Sequence, residues 1–179
     1  HIRAIVEASD LPCMLYNNPG AYKTDFSPTQ IAWMAKTYPN VEAVKETSGD
    51  IRRFSEIREL LGDRLELLVG MDNAIVEGLG AGATGWIAGQ VNAYPKESVR
   101  LFELARDGGW KAAVDLYRWF LPLLRLDVVP KFVQLIKLTQ AEVGLGSETV
   151  RAPRLKLEGA EREAALAIIR RTRAERPQL

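Results

Sequence analysis

The sequence predicts an α/β fold with a parallel sheet, and three observations carry that reading. Short apolar runs recur about every 25 residues, each followed by a polar turn and then a helical pattern, as strand–crossover–strand units require. Two successive runs end on residues that carry chemistry, Tyr16 and Lys45. Beyond residue 95 the strand pattern stops and only helical periodicity remains. Four strand–helix units make either a small open sheet or half of an eight-stranded barrel, since a whole barrel takes about 250 residues.

The elements follow in order. His1 to Ser9 reads as the tail of a helix, through Ile2, Ile5 and Val6, with no N-cap before it. Leu11 to Tyr16 is the first strand, and Tyr16-Asn17-Asn18-Pro19-Gly20 is a turn cluster. Ser27 and Pro28 supply the N-cap and first turn of a helix to about Tyr38, with Ile31, Met34 and Ala35 on one face. Val41 to Lys45 is the second strand, and Asp50 caps a helix to about Leu61 that Gly62-Asp63-Arg64 ends. Leu65 to Val69 is the third strand, followed by Gly70, and Asn73 to Gly80 is a short helix. Gly82 to Gly89 is a fourth, glycine-flanked strand. Helices then run over about Pro95–Arg106, Trp110–Arg125, Val128–Val143 and Ala160–Arg173, with Gly108-Gly109, Gly144 and Gly146 at their ends. The expected division is the second half of a barrel over residues 1–94, and the last barrel helix with a helical extension over 95–179. The uncapped start favours the C-terminal part of a longer protein.

Composition narrows the function classes. With 179 residues, 47% of them hydrophobic, the chain can bury a sizeable core. A net charge of +1 with acids and bases interspersed marks neither a nucleic-acid nor an anionic-membrane partner. The richest basic cluster, Arg170, Arg171, Arg173 and Arg176, reads as a solvated helix end. The single cysteine, Cys13, lies in a strand pattern and reads as a small core residue, which excludes a disulfide framework. His1 is the only histidine, so a histidine triad or zinc site would need residues from elsewhere. No window approaches about 18 uncharged apolar residues and no signal peptide is evident, so the expectation is a soluble cytoplasmic protein.

Lys45 is the residue most able to do chemistry. It ends the run Val41-Glu42-Ala43-Val44 and precedes the polar turn Glu46-Thr47-Ser48-Gly49-Asp50. A barrel strand delivers its last side chain to the active face in this way. A lysine that loses hydration there becomes a nucleophile toward carbonyls. A lysine snorkelling to water is the plainer alternative. Tyr16 ends the preceding strand, and neighbouring parallel strands lie about 4.8 Å apart, so the two tips can meet at one mouth. A phenol beside a reactive amine can shuttle protons, although a single tyrosine more often just keeps its hydroxyl wet. Gly82-Ala83-Thr84-Gly85 could let backbone approach a carboxylate closely. Asp72 reads as a helix N-cap rather than a metal ligand. Trp110, Tyr117, Trp119 and Phe120, with the leucines around Pro122, read as helix core, with a subunit contact as the alternative. There is no Walker pattern and no GxGxxG.

The motifs Tyr16-Asn17-Asn18-Pro19, Val44-Lys45-Glu46-Thr47-Ser48-Gly49-Asp50, Val69-Gly70-Met71-Asp72 and Gly82-Ala83-Thr84-Gly85-Trp86-Ile87 occur in this order and at matching spacing. In them the chain resembles the C-terminal part of the dihydrodipicolinate synthase/N-acetylneuraminate lyase family of Schiff-base barrel enzymes. The resemblance implies strands five to eight of a (β/α)8 barrel, with His1 in the helix before strand five. It implies an imine between Lys45 and a 2-oxo acid or cyclic imine carboxylate, proton relay by Tyr16, and a carboxylate held by backbone around Ile87. Gly70, Tyr22 and Asn73 complete the expected substrate-binding set. It further implies no metal and no organic cofactor, and assembly into a dimer or tetramer. The family's threonine-rich turn and its tyrosine from a neighbouring subunit have no counterpart in this chain. The synthase form Tyr-Asn-x-Pro-x-Arg-Thr-Gly carries an arginine that grips a second carboxylate, and here that place is Ala21, followed by Tyr22, Lys23 and Thr24. The Tyr-Asn-Asn-Pro-x-Ala-Tyr form, together with Arg118 to Leu124 and Gln134-x-Ile136-Lys137-Leu138, looks more like 1-pyrroline-4-hydroxy-2-carboxylate deaminases. A dihydrodipicolinate synthase, a 2-keto-3-deoxy sugar-acid aldolase and an inactive fragment acting only in assembly are the alternatives.

Overall fold

A computed structural model describes residues 1–178, in two compact units, His1–Ile87 and Ala88 onward. The first unit holds a four-stranded parallel sheet in the order β1 (Cys13–Asn17), β2 (Val41–Glu46), β3 (Glu66–Val69) and β4 (Gly85–Trp86). Helix α1 (Ile2–Val6) precedes the sheet, α2 (Pro19–Tyr22) and α3 (Pro28–Thr37) follow β1, α4 (Arg52–Leu61) follows β2, and α5 (Ile75–Gly80) follows β3. Strands in sequence order, each returning through a helix, are the arrangement that the alternating patterns require.

Side chains alternate across a strand, and here the two faces differ sharply. Leu15, Val44 and Leu67 form a buried row on one face, continued by Asn17, Glu46 and Val69. Helices α3 and α4 add Ile31, Met34, Ala35, Phe54 and Ile57 to this core. Helix α3 starts as its sequence dictates. The Ser27 hydroxyl accepts from the Gln30 N–H, the Gln30 side chain accepts from the Ser27 N–H, and Pro28 occupies the first turn. On the opposite face Tyr16, Lys45, Leu68 and Gly85 lie in register across all four strands.

Several elements differ from the sequence reading. Cys13 is half-buried rather than core, because it opens an outer strand. Strand β4 is two residues long, not eight: Gly82 takes a φ of +103° and bends the chain. Pairing nevertheless runs from the Thr84 N–H on Leu67 O to the Ile87 N–H on Val69 O. Asp50 sits one residue ahead of the N-cap position, yet it still serves the first turn of α4 by accepting the Arg52 N–H at 3.1 Å and binding that guanidinium. Asp72 is fully buried at the start of a 3-10 turn (Asp72–Ala74), where it accepts the Trp86 indole N–H at 3.1 Å.

The second unit is helical: a 3-10 turn (Gln90–Asn92), α6 (Pro95–Arg106), α7 (Trp110–Leu124), a 3-10 turn (Arg125–Asp127), α8 (Phe132–Glu142) and α9 (Gly159–Ala174). Tyr117, Phe120, Leu123 and Leu124 are core, as expected, whereas Trp110 is exposed. The Trp119 indole donates to Thr172 O at 2.9 Å, tying α7 to α9. The basic cluster is more than a solvated helix end. Arg170 and Arg173 hold the side chain and carbonyl of Glu142 at the end of α8, and Arg176 pairs with the fully buried Glu97. Among the described residues no helix is long and apolar enough to cross a membrane.

Candidate active site

Lys45 and Tyr16 face each other because their strands are parallel and in register. The Lys45 Nζ lies 4.4 Å from the centre of the Tyr16 ring. Lys45 is half-buried, so its stem is packed while its amine reaches the rim. The amine therefore meets the ring face, while the phenol hydroxyl points to a different partner. Asn18 Nδ2 donates to that hydroxyl at 2.9 Å. A hydroxyl that accepts this bond keeps its own proton to donate. The Asn18 carbonyl oxygen accepts the Ala21 N–H at 3.1 Å and so caps α2, with Pro19 in the first turn. Tyr22, at the end of that turn, packs edge-on against Tyr16 with ring centres 5.5 Å apart.

Gly70 closes the other side of the lysine stem. A Cβ there would stand 3.0 Å from Lys45 Cε, 3.0 Å from Glu46 O and 1.9 Å from Thr47 Oγ1, so only glycine fits. The Thr47 hydroxyl is buried and has no hydrogen-bond partner. Tyr16, Tyr22, Lys45 and Gly70 are thus brought together by direct contact. Asn73, in the 3-10 turn after β3, and Ile87, just past β4, lie at the same end of the sheet. The Ile87 N–H is already bonded to Val69 O at 3.0 Å, so it is not an idle donor.

Below this face the residue after each candidate points the other way. Asn17 (1% exposed) and Glu46 (3% exposed) are register partners, and Asn17 Nδ2 donates to Glu46 Oε2 at 2.9 Å. The same amide donates to Asp25 at 3.0 Å, and the Asp25 carboxylate holds Arg53 through two bonds of 2.6 Å. The Arg53 guanidinium, and secondarily the Asn17 amide, hold the Asp25 carboxyl down at about 2 from its ordinary 3.8. The Asp25 carboxylate in turn raises the already high pKa of Arg53.

The sequence reading did not find these polar residues. Asn17 and Asn18 read only as turn formers, and Glu46 and Thr47 only as parts of a motif. Arg53 and Asp25 carry no local signal, since their partnership spans 28 residues.

Two further features bear on specificity. Ala21 offers no guanidinium, and Lys23, in a left-handed conformation with φ 59°, turns its ammonium back onto Gly20 O at 2.7 Å. A cavity of about 640 Å³ lies on the β1 side and includes Arg3, Tyr16, Asn17, Tyr22, Phe26 and Trp33 in its wall. Tyr16 and Tyr22 thus border both this cavity and the neighbourhood of the Lys45 amine. Among the described residues no group of histidine, cysteine, aspartate and glutamate side chains is placed to hold a metal ion.

Comparison with known proteins gives one answer. Residues 1–172 match the model of the dihydrodipicolinate synthetase family. A 4-hydroxy-tetrahydrodipicolinate synthase of Pelobacter propionicus is 30% identical over 170 residues, which is 95% of this chain and 58% of the relative. One from Sodalis glossinidius is 37% identical over 123 residues, 69% of this chain and 42% of the relative. The solved dihydrodipicolinate synthase of Aquifex aeolicus shares the fold with a TM-score of 0.89 at 21% identity, over 97% of this chain and 59% of that one. The chain thus spans about half the length of the relatives that it matches. By the match that runs through residues 1–172, the chain belongs to the dihydrodipicolinate synthetase family.

Proposed function

We propose that this chain supplies the second half of a Schiff-base barrel enzyme, with the barrel half over residues 1–94 and the last barrel helix and extension over 95–179. Lys45 is the nucleophile and Tyr16 the proton relay. The observation that carries this reading is the register-paired contact of the Lys45 amine with Tyr16, beside the space left by Gly70. The amine adds to the C2 carbonyl of a 2-oxo acid, forming a C–N bond. The carbinolamine oxygen then takes a proton, leaves as water, and an imine remains. The Tyr16 hydroxyl, oriented by Asn18, is suited to pass that proton. The protonated imine then acts as an electron sink for the following steps. Gly70, Tyr22, Asn73 and backbone near Ile87 form the substrate-binding set of this proposal. The enzyme works as a homo-oligomer, dimer or tetramer, in the cytoplasm.

Within the family, the deaminase of 1-pyrroline-4-hydroxy-2-carboxylate is the favoured branch. Its support is the loop after β1: Ala21 carries no cation, Lys23 is folded onto Gly20 O, and Arg53 is held by Asp25. No guanidinium in that loop is disposed to clamp a second carboxylate. In the deaminase reaction Lys45 displaces the ring nitrogen from C2 to leave an amine on C5, and the C4 hydroxyl leaves as water. The resulting C3–C4 alkene shifts to a C5 imine, and hydrolysis of that imine releases ammonia. Hydrolysis of the lysine imine then gives 2,5-dioxopentanoate, with one water consumed overall. The names of the similar curated proteins favour a second reading, a 4-hydroxy-tetrahydrodipicolinate synthase, and an aldolase of 2-keto-3-deoxy sugar acids is the third.

Borohydride reduction of the full-length protein with pyruvate, or with the cyclic imine, tests the shared step. A reduced adduct on Lys45 is expected. Complete absence of adduct would reduce the chain to a role in assembly. Ammonia release from the cyclic imine identifies the deaminase, pyruvate consumption with an aldehyde partner identifies the synthase, and pyruvate release identifies the aldolase.

A further inference from the structure

We propose that Asn17, Glu46, Arg53 and Asp25 form a positioning device that locks the loop after β1, bearing Asn18 and Tyr22, to the strand bearing Lys45. This rests on the reading of Lys45 and Tyr16 as the reacting pair.

The argument begins with alternation. Asn17 directly follows Tyr16 and Glu46 directly follows Lys45, so each points into the helix-covered face while its neighbour points to the site. The preceding residues on that covered face are Leu15 and Val44, which are what a packed sheet needs. Two polar side chains in the same rows, one of them a carboxylate, are costly to bury unless every bond is made. They are made. Asn17 Oδ1 accepts the Phe26 N–H at 3.0 Å, and Asn17 Nδ2 serves Glu46 and Asp25. Glu46 Oε1 accepts the Ser48 N–H at 2.6 Å, fixing the turn after Lys45. Arg53, on α4, grips Asp25 with both arms, donates to Phe26 O at 3.2 Å and stands 3.8 Å from Glu46 Oε2.

The cluster thus joins four segments: the tip of β1, the tip of β2, the far end of the loop over residues 18–26, and α4. At its near end the same loop is fixed by Asn18, which caps α2 and holds the Tyr16 hydroxyl. A loop pinned at both ends presents Tyr22 to the Tyr16–Lys45 pair in one arrangement. Loosening the far end spreads the loop over several arrangements, which weakens substrate binding and discrimination without touching the amine. A purely structural cluster would lower stability and leave the balance of kcat and KM unmoved.

Asp25→Asn tests this in the full-length protein, since it retains an oxygen for Asn17 and loses the charge-assisted fork. Amide exchange over residues 18–27 should rise about tenfold, the weight of one such bond, while exchange in β3 stays unchanged. KM for the cyclic imine should rise by a similar factor with kcat little changed, and saturating pyruvate should still give full reduced adduct on Lys45. Asp25→Glu, which keeps the carboxylate, should restore part of both effects. If Asp25→Asn unfolds, Arg53→Lys breaks the fork more gently and the same readouts apply. Exchange and KM within twofold of the parent in both variants would overturn the positioning device and leave the Lys45 reading standing. Absence of adduct in the unaltered protein would overturn the Lys45 reading, and the exchange measurement would still decide whether the loop is locked.

Discussion

The two faces of the first unit's sheet have the same strands and opposite duties. On the helix-covered face Leu15, Val44 and Leu67 are between 0% and 6% exposed, whereas on the other face Met14 is 44% and Tyr16 37% exposed. The covered face follows hydrophobic arithmetic, and each methylene there is felt. The open face carries Tyr16 and Lys45 in contact with each other, and in the barrel proposed above the strands of the other half would cover it. Adjacent residues in one strand therefore belong to different accounts of the molecule.

Lys45 and its cross-strand neighbourhood give the widest separation. Lys45→Ala should abolish the borohydride adduct and lower turnover by at least about 10⁴-fold, as loss of a covalent nucleophile does. Its denaturation midpoint should move little, within about 0.5 kcal/mol. Leu67→Ala, on the covered face, should do the reverse: a loss of about 2–5 kcal/mol with the adduct still formed. Mass spectrometry of the reduced protein and denaturant titration read both quantities. If Lys45→Ala were the more destabilising of the two, the division of duties would be wrong.

Tyr16→Phe sharpens the same division at the level of one oxygen. The ring contacts with Lys45 and Tyr22 survive, and only the hydroxyl held by Asn18 is lost. Imine formation should slow by about 10²–10⁴-fold, the usual share of a positioned acid or base, with stability nearly unchanged. Stopped-flow measurement with pyruvate checks this. A rate within threefold of the parent would leave the hydroxyl without a catalytic role.

Gly70→Ala sits between the faces. The added methyl meets Thr47 Oγ1 at 1.9 Å and crowds both Lys45 Cε and Glu46 O, so the lysine stem must move. A shift of a few tenths of an ångström in that stem should slow adduct formation, by less than the roughly 100-fold that a misplacement of about 1 Å costs. Replacing Thr47 by alanine in the same protein removes the closest contact and should recover part of the adduct yield. Failure of that rescue would show that the Glu46 carbonyl, not the threonine, sets the limit.

How legible all this is from sequence follows from the range of the interactions involved. Strand alternation, the Ser27 capping box and the presentation of Lys45 at a strand end are local patterns, and each is readable within a few residues. Their pairing with Tyr16 followed from matching positions in consecutive units. The polar cluster was not readable, because a glutamate after a lysine has no preferred face until the strand's register is known. Its partners Asp25 and Arg53 lie on other elements. Arg176 was misread for the same reason, since Glu97 is 79 residues away. The fourth strand was overcalled because glycines at both ends mark turns as readily as strands.

The smallest effect tests the seam between the two faces. Asp25 is held ionised by Arg53 and Asn17, with its pKa lowered from 3.8 to about 2. A carboxyl whose folded value lies below its unfolded value contributes stability that is complete above about 4. That contribution is lost progressively as pH falls from about 4 through about 2, and the loss is complete only below the folded value. The Asp25 side chain is 43% exposed, so solvent screening holds the effect below about 1 kcal/mol. Thermal midpoints of the parent protein and of Asp25→Asn should therefore converge as pH falls from 5 to 2, with the variant the flatter of the two. Parallel curves would mean that the Asp25–Arg53 fork adds nothing to folding, and would confine any role of the cluster to the placement of the loop.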